Sequence, residues 1–141
     1  MNTSENLLQE ICDNTINNIP SSNWENISLT IYALNKMISY VAIYEENGDF
    51  SSFDPEENGD DITLIIKKLR EEMYKISLNK GAWYTAYITI LNNGNYQTNF
   101  DYENKPEFKY EPSKDKFEDD IKVFPREESL IPIWLKEIIN S

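Results

Sequence analysis

The chain of 141 residues contains no histidine. That absence excludes histidine-assisted serine and cysteine nucleophiles, histidine-containing zinc sites and imidazole acid–base catalysis. Its one cysteine, Cys12, cannot form an intramolecular disulfide, so the fold does not depend on an oxidising compartment. Four isolated glycines are too few for a phosphate-binding loop or a dinucleotide fingerprint. No apolar run approaches the roughly 18–20 residues that span a bilayer, and the N-terminus lacks the basic and apolar segments of a secretion signal, so a cytoplasmic location is expected. Bases are scarce too: thirteen Lys and Arg against 25 Asp and Glu leave a net charge of −12. Such a field repels nucleic acid and anionic membranes, and direct contact with either is not expected. It attracts a basic partner, and proteins that handle nucleic acid are a large class of basic partners. Charge that serves only solubility is the alternative.

What is present is enough to build a core. A hydrophobic share of 40%, with many aromatics, argues against a disordered chain despite the charge. The length suits one domain. From Ser4 to Ile19, Leu8, Ile11, Cys12, Ile16 and Ile19 recur at helical spacing before Pro20, which makes Cys12 a buried structural thiol. Ile27–Leu34 and Ile38–Tyr44, rich in β-branched and aromatic residues, read as a hairpin across Asn35-Lys36. Glu45 to Asp61 carries eight acids and no base, together with Gly48, Pro55 and Gly59, and reads as a loop with room for a short strand at Phe50–Phe53.

Asp60 or Asp61 can cap the next helix, whose apolar face is Ile62, Ile65, Ile66, Leu69, Met73 and Ile76. Trp83–Leu91 and Tyr96–Tyr102 flank Asn92-Asn93-Gly94-Asn95, a hairpin signal. Lys114–Phe124 forms a short helix that presents Phe117, Ile121 and Phe124 and stops at Pro125. A last helix, Ile133 to Ile139, begins at Pro132 and turns Trp134, Leu135 and Ile138 to the core. The fold class expected is α+β: a single domain with a mostly antiparallel sheet of four to five strands and packed helices.

Few patterns carry chemistry. Asp101 and Glu103 would share a face of a strand, as metal-dependent phosphodiester chemistry requires, but a solvated strand end explains them without a convergent set of partners. Asp54-Pro-Glu-Glu-Asn-Gly59 opens like a calcium loop, yet position twelve is Ile65 where a bidentate Glu is needed, so it reads as a turn and helix cap. Trp83, Tyr84, Tyr87, Tyr96, Phe100 and Tyr102 would make a stacking platform for single strands only with bases nearby, and residues 83–102 contain none. They read as core aromatics with some tyrosine edges exposed for protein contacts.

Gly81-Ala-Trp83, Gly94-Asn-Tyr-Gln-Thr-Asn-Phe-Asp-Tyr102, Pro106-Glu-Phe108, Phe124-Pro-Arg126 and Ile131-Pro-Ile-Trp-Leu135 together resemble the YezG-type antitoxin and immunity proteins. The N-terminal half matches more loosely, through a helix ending at Ile19-Pro20, then Trp24 and a hairpin. The resemblance implies a non-catalytic, cofactor-free immunity protein. Such a protein binds the toxin domain of a polymorphic, secreted or contact-delivered effector, commonly a basic nuclease, and protects the producing cell. The matching residues are chiefly turns and core aromatics, so they bear on fold and not on toxin contacts.

The expected mechanism is stoichiometric occlusion: acidic residues dock on a basic cleft and exclude its substrate. The candidate partner-binding residues are Asp54, Glu56, Glu57, Asp101, Glu103 and Glu107. A non-catalytic adaptor or scaffold module is the alternative function, and a carboxylate-only, metal-dependent hydrolase a more remote one.

Overall fold

A computed structural model describes residues 3–56, 61–77 and 80–141. Helix α1 (Thr3–Asn17) turns Leu7, Leu8, Ile11, Cys12 and Thr15 inward. It stops two residues short of the expected Ile19, because the N–H groups of Asn18 and Ile19 donate to Thr15 and Ile16 in a terminal turn. Asn18 is buried, and its side-chain amide donates to the carbonyls of Asn14 (2.8 Å) and Pro55 (2.7 Å). The helix end is thereby tied to the far end of the first strand group.

Strands β1 (Asn26–Leu34), β2 (Met37–Glu46) and β3 (Asp49–Phe53) form consecutive hairpins. The expected loop over Glu45–Asp61 is corrected at its start, since Glu45 and Glu46 continue β2 and pair with Phe50 and Asp49, while the short strand expected at Phe50–Phe53 is present as β3, one residue longer. The physical reason is Asn47-Gly48: both residues are left-handed, at φ 53° and 82°, which builds the type I′ turn that matches strand twist. The first hairpin is closed differently. Asn35 and Lys36 are not left-handed, and the turn is held from outside, by Asp120 accepting the Asn35 N–H (2.7 Å) and Asp119 accepting its side-chain amide (2.8 Å).

Helix α2 (Thr63–Ile76) follows. Asp61 accepts the Thr63 N–H (2.8 Å) and Glu56 accepts the Ile62 N–H (3.0 Å), so two carboxylates serve its first turn; Asp60 lies outside the described residues. Ile62, Ile66 and Leu69 are buried and Ile65 and Met73 half-buried, as the apolar face predicts. Ile76 departs from it: at 76% exposure it stands in solvent at the helix end. Strands β4 (Thr85–Leu91) and β5 (Tyr96–Asp101) make the last hairpin, with Gly94 left-handed at φ 87°.

The sheet order is β3-β2-β1-β4-β5, antiparallel throughout. Alternation on the strands sends Ile27, Leu29, Ile31, Ala33, Ala42, Ala86, Ile88 and Ile90 to one face, where α1 and α2 cover them. A second core forms where Leu34 and Tyr84 meet α3 (Lys114–Val123) and α4 (Ile133–Ile139), through Phe117 and Leu135. Trp134 and Ile138 pack on its margin, half-buried. The Trp134 indole N–H donates to the Glu103 carbonyl (2.6 Å), and its ring stands edge-on to Tyr84 at 5.1 Å. The whole is a single α+β domain.

One buried ion pair joins the two cores, and nothing in the apolar pattern announced it. Arg70 of α2 and Asp120 of α3 are both buried. The guanidinium meets the carboxylate in a two-point contact at 2.5 and 3.1 Å, and its Nε–H donates to the Trp83 carbonyl (2.7 Å). Phe124 covers it at 5.0 Å. Arg126 locks the same region from outside, donating to the Ala82 and Leu130 carbonyls and lying over the Tyr84 ring at 4.8 Å. Gly81 (φ 88°) is needed there because a Cβ would overlap the Arg126 side chain. The Gly81-Ala-Trp83 and Phe124-Pro-Arg126 segments are thus the two sides of one structural joint.

Candidate partner-binding site

The five candidate carboxylates among the described residues do not form one group. Asp54 and Glu56 follow β3 at one edge of the sheet, Asp101 ends β5 at the opposite edge with Glu103 just after it, and Glu107 returns toward Tyr32 of the central strand β1. Four strand spacings of about 4.8 Å put these edges roughly 19 Å apart. Glu57 lies outside the described residues.

Several of these carboxylates already have structural duties. Asp54 accepts the Glu56 N–H (2.9 Å) in a local turn. Glu56 serves the first turn of α2, and its carboxyl is raised above the ordinary glutamate range by burial and by hydrogen bonding with Asp61. Asp101 accepts the Glu103 and Asn104 N–H groups (2.9 and 3.0 Å) and the Asn104 side-chain amide (2.9 Å). Burial raises the Asp101 carboxyl, but these hydrogen bonds outweigh it and hold the group below the usual aspartate range. The expectation that Asp101 and Glu103 share a strand face is corrected: β5 ends at Asp101, whose carboxylate turns the chain back through the Glu103 N–H. Among the described residues no three carboxylate or thiol groups converge as metal ligands. Glu103 and Glu107 are exposed and form no ion pair with a described residue.

A shallow depression of about 350 Å³ beside β5 is lined by Lys80, Tyr87, Asn99, Asp101, Glu103 and Asn104. Lys80 sits 4.2 Å from the Tyr102 ring and offsets the local negative charge. The β3 side has no such offset. Residues 1–66 hold twelve acids and one base, Lys36, a net charge of −11; residues 67–141 hold thirteen acids and twelve bases, a net charge of −1. All five ion pairs between described residues draw their acid from residues 72–128. None of the strands contains a Lys or Arg. The two halves do not map whole onto the sheet edges, since Glu5 of α1 lies near Tyr96 of β5; what the β3 edge keeps is residues 41–56, with five acids and no base.

Opposite α1 and α2 the sheet is open. Phe50 (69% exposed), Val41 (46%), Tyr87 (45%) and Ile43 (36%) project from it. The register sets Ile43 beside Ser28 and Ser52, Val41 beside Thr30, and Thr30 beside Tyr87. Short hydroxyl side chains on β1 therefore lie between apolar β2 and β4 on this face. Phe108 reaches the same face only near its far end, packing on Tyr32 at 5.9 Å. Of the six aromatics weighed as a stacking platform, Trp83 and Tyr84 are buried, Tyr96, Phe100 and Tyr102 pack against the core, and Tyr87 is exposed. No described helix is long and apolar enough to cross a membrane. The chain matches no model of a known protein family, and no curated protein matches it at a significant level.

Proposed function

We propose that this protein is an immunity protein of the YezG type, which binds one cognate toxin domain in the cytoplasm of the producing cell and neutralises it stoichiometrically. The carrying observation is the open antiparallel face, whose strands hold no Lys or Arg and which exposes Phe50, Ile43, Val41 and Tyr87, set in a chain of charge −12. An acidic surface with an apolar centre suits a basic protein such as a nuclease domain: charge speeds encounter and excludes acidic competitors, and desolvated aromatic contacts supply residence time. The joint formed by the 81–84 and 124–126 segments gives a physical reason for the residues that carry the family resemblance, since it holds α3 and α4 against the sheet end. The proposed action is occlusion of the toxin's substrate cleft without any cofactor. Co-expression with the protein encoded beside it should restore growth, and unrelated toxins should remain active. A neighbouring toxin that stays fully active, and that does not co-purify with this chain, would overturn the reading.

A further inference from the structure

We infer that the docking surface is the open face of β2 and β3, with Phe50, Ile43 and Val41 at its centre, Glu45 beside Phe50 on that face, and Asp49 and Asp54 at the two ends of β3. Its occupant is a basic protein surface that carries a small apolar patch among its lysines and arginines. The inference takes the partner's identity from the immunity reading, but the location of the surface stands on the charge and exposure of this chain alone.

Charge separates the two edges of the sheet. At physiological ionic strength the screening length is about 8 Å, so edges roughly 19 Å apart act independently on a partner. A partner approaching β3 meets residues 41–56, with five acids and no base, whereas one approaching β5 meets residues 96–122, whose eight acids are offset by five bases. The acids of the β5 side are further spent: Lys105 pairs with Glu111 at 2.6 Å, Lys36 with Asp119 at 3.4 Å and Arg70 with Asp120. Glu45, Asp49 and Asp54 form no ion pair with a described residue.

Exposure separates them again. Phe50 is the most exposed large apolar side chain on the sheet, and it is cross-strand from Glu45, with Ile43 and Ser52 next along the ladder. An aromatic beside aliphatic neighbours, ringed by one sign of charge, has the composition of an interface centre and rim. The division of labour follows: Glu45, Asp49 and Asp54 steer association, and Phe50 and Ile43 slow dissociation.

Two probes test this separately. A decalysine peptide carrying a nitroxide, added at low salt to the isotopically labelled chain, should broaden amide resonances of residues 41–54 first. Broadening centred on residues 96–122, or spread evenly, would overturn the location whatever the biological partner is. With the neighbouring gene product as ligand, the paired substitution Phe50→Ser and Ile43→Ser should raise the dissociation rate at least tenfold with an unchanged melting curve. Glu103→Gln with Glu107→Gln should leave both rates within twofold. Parent-like kinetics for the Phe50 and Ile43 variant would also overturn the proposal. If the parent chain does not bind that product at all, the immunity reading falls, and the peptide map still decides the surface.

Discussion

Replacing Asp120 with alanine strands the Arg70 guanidinium in the interior. Arg70 is 2% exposed and loses both carboxylate contacts, retaining the Trp83 carbonyl as its hydrogen-bond acceptor. Breaking one side of a buried pair costs about 3–5 kcal/mol, because the remaining charge keeps its desolvation penalty without compensation. The Asn35 N–H loses its acceptor in the same step, loosening the β1–β2 turn. For a domain of this size each kcal/mol moves the melting temperature by about 3–4 °C, so a fall of roughly 9–20 °C is expected in thermal denaturation followed by circular dichroism. The double substitution Arg70→Met with Asp120→Leu should recover most of that loss, since removing both charges removes the penalty as well. Asp119→Ala, next in sequence but at the surface, should change the curve far less. A melting temperature for Asp120→Ala within about 2 °C of the parent would refute the reasoning, as would strictly additive effects of the two single substitutions.

Gly81→Ala must place a side chain at φ 88° and displace Arg126, so a loss of at least about 2 kcal/mol is expected in urea unfolding. Gly48→Ala meets open space and should cost only the left-handed strain of about 1–2 kcal/mol. Equal losses would show that Arg126 yields freely. The Cys12 thiol is fully buried and raised to about 12, chiefly by burial with a contribution from Asp13, so it should resist a thiol-specific chromogenic reagent until the chain unfolds. Rapid stoichiometric labelling of the native protein would contradict that placement. Asp101 is held below its ordinary range in the folded state, so its contribution is full above that range and is lost as pH falls through the folded value. Asp101→Asn should therefore flatten the acid limb of a stability–pH profile, and an unchanged limb would show that the turn does not depend on the ionised carboxylate.

The α+β class, the helix stripes of α1 and α2, and the hairpins around residues 35–36 and 92–95 were legible in the primary structure, because hydrophobic period and turn chemistry are properties of neighbouring residues. Asn47-Gly48 belongs to the same legible kind, and it outweighs the loop-like acidity at Glu45 and Glu46 by extending β2 and pairing it with the short strand expected at Phe50–Phe53. Only the tertiary structure decided the rest. Arg70 sits next to the helix stripe and Asp120 in a run of charges, and they become partners across fifty residues of chain because α3 docks on the sheet end. Ile76 fits the apolar period yet faces water, since the helix outruns the surface it packs on. The candidate acids come from two acidic regions of the chain, Glu45–Asp61 and Asp101–Asp120, expected to face one basic cleft together. The order β3-β2-β1-β4-β5 sends Asp54 and Glu56 to one edge and Asp101 to the other, because strand order is set by pairing between distant segments, which no local pattern encodes.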